Sequence, residues 1–165
     1  MGNLLIVGAG GHGKVVKEIA QAIGIYEKID FVDDNSLEAI GKTEDLQELR
    51  KQYESAFVGI GDNNLRKVYF NILGEIGYAI PTLIHPTAYI SKSAQISCGT
   101  VVEPKAIINA GVSIGMGGIV SVGAIVDHDV LIGDFVHVNA GAFCKAGSIV
   151  LAEMKIDAGQ IFERK

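Results

Sequence analysis

The chain has 165 residues, room for one domain or two small ones, and is 48% hydrophobic against 20% charged, the balance of a globular fold. Its net charge of −5 excludes a nucleic-acid surface, which needs a basic excess. Two cysteines are too few for a disulfide scaffold and suit a reducing, cytoplasmic setting, and no apolar run approaches the roughly 18 residues of a membrane span, so no membrane association is expected.

In chain order, residues 3–7 form a continuous apolar strand, followed by the turn Gly8-Ala9-Gly10-Gly11-His12-Gly13. A helix is predicted over 14–23, with Val15, Val16, Ile19, Ala22 and Ile23 as its apolar stripe and Gly24 as its stop. A second buried strand at 29–32 ends in Asp33-Asp34-Asn35. A helix capped by Thr43 is expected over 43–51, a third strand over 56–60, a helix capped by Asp62 or Asn63 up to Ile76, and a strand at 78–80. Alternating β and α segments predict a small doubly wound α/β unit over residues 1–82, with Pro81 and the His85-Pro86 pair at its boundary.

From residue 83 to 165 the pattern changes. An aliphatic residue returns every sixth position: Ile84, Ile90, Ile96, Val102, Ile108, Ile114, Val120, Val126, Ile132, Val138, then Cys144, Val150, Ile156 and Phe162. Four residues after each, a small or β-branched residue recurs, as at Ala88, Ala94, Thr100, Ala106, Ala124 and Ala142. A period of six fits neither a helix nor a hairpin-linked sheet. It fits a parallel β-helix whose coils share one core. The flat faces of such a solenoid need covering, and Ile107, Ile119, Ile125 and Leu131, each just before an inward slot, are read as outward apolar residues that pack against identical subunits.

Gly8-x-Gly10-x-x-Gly13 between a strand and a helix has the context of a phosphate-binding turn, and Asp33-Asp34 lies where a ribose hydroxyl would be met. The same glycines could serve only a tight strand–helix turn. His12 either donates to a diphosphate or decorates an exposed turn. Gly59-Ile60-Gly61-Asp62-Asn63-Asn64 ends the third strand on the same sheet edge, with helix capping as the alternative role of Asn63 and Asn64. In the solenoid, His128 sits in Val126-Asp127-His128-Asp129 just past an inward position, hence at a corner, beside a carboxylate that can raise its basicity. His137 precedes inward Val138 and should point outward, whereas His85, beside Pro86, reads as structural. A zinc site would need three converging histidines, and no metal is expected.

Several stretches together resemble one family: Gly8-Ala9-Gly10-Gly11-His12-Gly13-Lys14, Phe31-Val32-Asp33-Asp34, Gly59-Ile60-Gly61-Asp62-Asn63-Asn64-x-Arg66, Leu83-Ile84-His85-Pro86, and Val126-Asp127-His128-Asp129 with Ile132-Gly133, Phe135 and His137-Val138. They are similar to the sugar O-acyltransferases of the sialic acid O-acetyltransferase (NeuD) family, with the PglD-like UDP-amino-sugar N-acetyltransferases, within the hexapeptide-repeat superfamily. The resemblance implies a Rossmann-like nucleotide-sugar domain followed by a left-handed β-helix, assembled as a homotrimer. It implies acetyl-CoA as co-substrate, lying between neighbouring β-helices near His137, Asn139 and Gly141, and no metal. It makes His128 the general base, with Asp129 raising its basicity. It places the nucleotide-sugar against Gly10, Gly11, His12, Gly13, Asp33, Asp34 and Gly61. The acceptor would be the 4-amino group of a UDP-sugar or a hydroxyl of a sialic acid-type sugar. A nucleotide-sugar-binding or partner-stabilising protein without the coenzyme site is the other reading. Longer members carry further coils, and 157–162 is expected to be a capping turn.

Overall fold

The computed structural model describes residues 2–164 and divides into two compact units, Met1–Pro81 and Thr82–Lys165. In the first, β1 (Gly2–Val7) is the central strand: Leu4, Leu5, Ile6 and Val7 are all buried, the signature of a parallel strand covered on both faces. It pairs in parallel with β2 (Tyr26–Val32) on one side and β4 (Ser55–Val58) on the other, and β3 (Ala39–Gly41) extends the sheet beyond β2. Helix α1 (Gly11–Ile23) buries Val16, Ile19 and Ala20 and stops at Gly24, whose φ of 73° is left-handed. Helix α3 (Asn63–Ile76) is capped by Asp62, whose carboxylate accepts the Leu65 N–H at 2.8 Å.

Three expectations change here. The helix predicted from Lys14 starts at Gly11, so the last three residues of the glycine turn form its first turn. Thr43 does not cap a helix over 43–51. A 3₁₀ turn, Thr43–Asp45, leads into a single α-turn, α2 (Leu46–Leu49); Asp45 accepts the Lys42 N–H, while the Thr43 N–H and hydroxyl donate to Asp34. Residues 78–80 contribute one bridge, Ser55 to Ala79, rather than a strand.

The second unit is a three-walled parallel β-helix of two-residue strands, β5 (Leu83–Ile84) to β18 (Ile161–Phe162). Wall one stacks β5, β8 (Val101–Val102), β11 (Ile119–Val120), β14 (His137–Val138) and β17 (Lys155–Ile156). Wall two stacks β6 (Tyr89–Ile90), β9 (Ile107–Ile108), β12 (Ile125–Val126), β15 (Phe143–Cys144) and β18. Wall three stacks β7 (Gln95–Ile96), β10 (Ser113–Ile114), β13 (Leu131–Ile132) and β16 (Ile149–Val150). Every paired residue meets the one 18 further on, as Val126 meets Cys144. The second residue of each strand is the predicted inward one, and from Val102 to Ile156 these are buried in one cluster. Each buried Val or Ile contributes about 1.5–3 kcal/mol relative to exposure, and that column of apolar burial holds the coils together.

From Gly99 onward the corners between walls carry a left-handed residue. It is usually glycine, but Lys105, Asp129, Phe135 and Glu153 occupy the same conformation. Two readings are corrected. Ile119 precedes its inward slot as expected but is only 1% exposed, so it adds nothing to the exposed apolar surface, whereas Ile107, Ile125 and Leu131 do. Residues 157–162 are not a terminal cap: Gln160 closes an ordinary corner with Asp157, and Ile161–Phe162 pairs with Phe143–Cys144 as a further coil strand.

Candidate functional site

The first unit has a cleft of about 170 Å³ at the carboxyl ends of β1 and β2, lined in part by Gly8, Asp33, Thr43, Ile60 and Tyr69. Ligands of open α/β sheets bind at this edge. Helix α1 begins beside it at Gly10 with no side-chain cap and no acidic residue in its first turn, so its N–H groups and dipole face outward, suited to an anion. Gly10 and Gly11 are exposed with open space where a Cβ would stand. Gly13 differs. It is buried, and a Cβ there would collide with the Gly8 carbonyl, so its missing side chain serves close helix–strand packing. His12 lies on the first turn of α1, half-buried, and faces Gly61 across the loop: a Cβ on Gly61 would stand 4.0 Å from that of His12.

The two aspartates are already engaged. Asp33 accepts the Ala9 N–H at 2.9 Å and the Asn35 N–H at 2.8 Å, and these backbone donors, Ala9 first, hold its carboxyl below the usual range. It therefore ties the glycine turn to the end of β2 and presents an ionised carboxylate with lone pairs to spare. Asp34 is held by Thr43 and braces the loop instead.

Arg66 belongs to the stretch that carries the family resemblance, but sequence reasoning gave it no role of its own. Its side chain is 1% exposed and donates to the carbonyls of Ile60 (3.3 Å) and Gly61 (3.1 Å) and to Asn63 Oδ1 (2.7 Å), pinning the loop after β4. Burial lowers its pKa to about 10, opposed by the Asp62 charge, so it stays cationic at neutral pH. The available signal was spacing: Arg66 lies two helical turns before buried Leu73, on the inward face of α3.

In the second unit, His128 and Asp129 form the corner after β12. The Asp127 carboxylate accepts the His128 N–H at 2.8 Å and the Asn109 amide at 3.2 Å, fixing the backbone entry. His128 Nδ1 lies 2.9 Å from Asp129 Oδ2. A carboxylate only accepts, so Nδ1 donates to it and Nε2 carries the lone pair, free to take a proton. That hydrogen bond raises the imidazole pKa, with smaller contributions from the charges of Asp127 and Asp129. Asp129 holds φ at 59°, a conformation that costs a non-glycine residue about 1–2 kcal/mol and is often retained where function needs it.

His137 stands on wall one, its Nε2 3.1 Å from the hydroxyl of buried Ser121. Asn139 and Gly141 form the corner that follows, where the Asn139 amide oxygen accepts the Ala140 N–H and Gly141 is exposed. The chain thus brings His128 and Asp129 together but separates them from His137: their corner joins walls two and three, the side opposite wall one. Among the described residues, no three His, Cys, Asp or Glu are grouped to hold a metal ion, and no helix is long and apolar enough to cross a membrane.

Residues 3–73 match the PglD N-terminal domain model. The acetyltransferase domain of PglB from Neisseria gonorrhoeae FA1090 is 38% identical, with 96% of this chain and 81% of that one aligned at a TM-score of 0.91. The chain belongs to this PglD-like acetyltransferase family. The same PglB domain in complex with acetyl coenzyme A superposes at a TM-score of 0.86 and 34% identity, covering 97% of this chain and 90% of that one. A mutant perosamine N-acetyltransferase from Caulobacter crescentus, in complex with CoA and GDP-perosamine, superposes at 0.89 with 28% identity, covering 99% and 90%. The UDP-N-acetylbacillosamine N-acetyltransferase of Bacillus subtilis (strain 168) is 36% identical over 110 residues, 61% of this chain, and the match spans about half of that curated relative's length. Within this PglD-like family the second unit is the left-handed form of the hexapeptide β-helix.

Proposed function

We propose that the chain is an acetyl-CoA-dependent N-acetyltransferase acting on a nucleotide-linked amino sugar, with His128 as general base. The observation that carries this is the His128–Asp129 pair at an exposed solenoid corner, its basic nitrogen facing outward, in a chain whose other unit offers an uncapped helix N-terminus to a diphosphate. As the sugar amine attacks the thioester carbonyl, Nε2 takes its proton; the C–N bond forms, the C–S bond breaks, and the imidazolium returns the proton to the departing thiolate. Gly10, Gly11, His12 and Gly61 line the diphosphate approach, and the ionised Asp33 is left for the ribose. A phosphate-binding turn favours a nucleotide-linked sugar over a free sialic acid hydroxyl as acceptor.

The coenzyme would lie between two copies. One protomer presents His128 and His137 on opposite sides, so a single active site containing both draws them from neighbouring subunits. The outward ladder Tyr89, Ile107, Ile125, Phe143 and Ile161 makes wall two apolar along its whole height, which favours the homotrimer. Gly141 leaves the corner beside Asn139 flat enough for a pantetheine arm to run past His137. Two free cysteines, one exposed and one buried, suit a cytoplasmic setting. Light scattering should give three times the 17.4 kDa chain mass at micromolar concentration; a monomer would remove the shared site.

The rate should rise with pH as His128 loses its proton and then level off. The carboxylate stabilises the imidazolium, so the midpoint should lie above the ordinary 6.5 and move down in Asp129→Asn. A profile that falls across this range would exclude a neutral imidazole base. Calorimetry with coenzyme A separates the enzyme from a protein that only binds nucleotide-sugars.

A further inference from the structure

Stacking places Gly111 one coil beneath Asp129, at the same corner position. The Asp129 N–H donates to the Ala110 carbonyl at 2.9 Å, and the Gly111 N–H to the Ser93 hydroxyl in the corner below at 3.1 Å. A Cβ built on Gly111 would stand 2.5 Å from Asp129 Oδ1, closer than real side chains approach, while its next neighbours, Asp129 Cγ and N, are in ordinary contact at 3.6 and 3.7 Å. The carboxylate is therefore used at both ends: Oδ2 holds the His128 imidazole, and Oδ1 lies over the bare Cα of Gly111. By contrast, Gly147, at the equivalent corner one coil above and with the same left-handed φ, has no described residue within 4 Å of its Cβ position.

We propose that Gly111 is a positioning residue for His128: its missing side chain is the seat that lets the Asp129 carboxylate fold down beside the imidazole. It acts on the acid–base pair without touching substrate. The inference rests on the assignment of His128 as base, but its own readout is the imidazole rather than turnover. The charged groups stacked around this corner are Asp127 and Asp129 within it, Lys92 two coils below, and Lys145 above, which pairs with Glu163. Of these, only Asp129 would be displaced by a methyl group on Gly111.

The test titrates His128 by NMR in the full chain for Gly111→Ala, Gly147→Ala, Asp129→Asn and the Gly111→Ala/Asp129→Asn double variant. Both glycine variants carry the same left-handed backbone cost, which Lys105, Phe135 and Glu153 show these corners tolerate. The expected result is that Gly111→Ala lowers the His128 pKa to that of Asp129→Asn and lowers kcat by the same factor. The double variant should fall no further, and Gly147→Ala should leave both unchanged. An unshifted His128 in Gly111→Ala overturns the inference. So does a Gly111→Ala chain that unfolds while Gly147→Ala stays folded, because the added methyl should meet only a movable carboxylate. A shifted pKa with undiminished acetyl transfer supports the seat and removes His128 from its role as base.

Discussion

Replacing His128 with alanine should lower kcat for acetyl transfer by about 10²- to 10⁴-fold, the range a positioned general base supplies, with KM for both substrates nearly unchanged. The side chain is more than half exposed at the corner and packs into no core, so fold and assembly should survive its removal. Loss confined to kcat is what separates a proton acceptor from a binding residue. Asp129→Asn should cost less, because it takes away the partner that fixes the Nδ1 proton and raises the pKa while leaving Nε2 in place. Transfer within threefold of wild type in His128→Ala would refute the assignment.

The second large effect divides the glycine turn in two. Gly13→Ala should destabilise the N-terminal unit by about 3 kcal/mol, the upper part of the usual overpacking range, because its Cβ meets backbone: the Gly8 carbonyl on one side and Gly59 on the other. Backbone atoms in a buried sheet edge have nowhere to move. Gly11→Val adds its side chain to open space, so stability should hold while nucleotide-sugar affinity falls. Denaturant unfolding and calorimetry with a UDP-sugar read the two effects separately. A fully stable Gly13→Ala, or a Gly11→Val chain that binds as tightly as wild type, would reverse the roles given to these glycines.

The solenoid was legible because its rule is local. A two-residue strand sets one side chain inward, the corner consumes four residues, and the next inward slot follows six on, as from Val120 to Val126 to Ile132. The pattern could not say which outward residues stay exposed: Ile119 and Ile107 look alike in sequence, yet one is buried and the other is not. The α/β unit was legible at its strands, where apolar runs are continuous, and less so where polar side chains make tertiary contacts. Thr43 looks like a helix cap but spends both its donors on Asp34, nine residues earlier. Gly11, His12 and Gly13 look like loop and are helix, because the packing of Gly13 against Gly8 brings the helix start close to the strand. Arg66 looks like a surface residue of α3, and its burial depends on the three acceptors that the folded loop provides. At the solenoid site, His128 and its carboxylate partner were readable because they are adjacent in sequence. The seat formed by Gly111 was not, since it lies 18 residues away and exists only once the coils stack.

The most direct test of the account is a single incubation of the purified chain with acetyl-CoA and a UDP-4-amino-sugar, following free thiol and the mass of the sugar nucleotide together. The account predicts that thiol appears in step with a sugar nucleotide heavier by one acetyl group, and that both signals disappear in His128→Ala. Tight binding of the sugar nucleotide with neither signal would contradict it and leave a binding protein in its place.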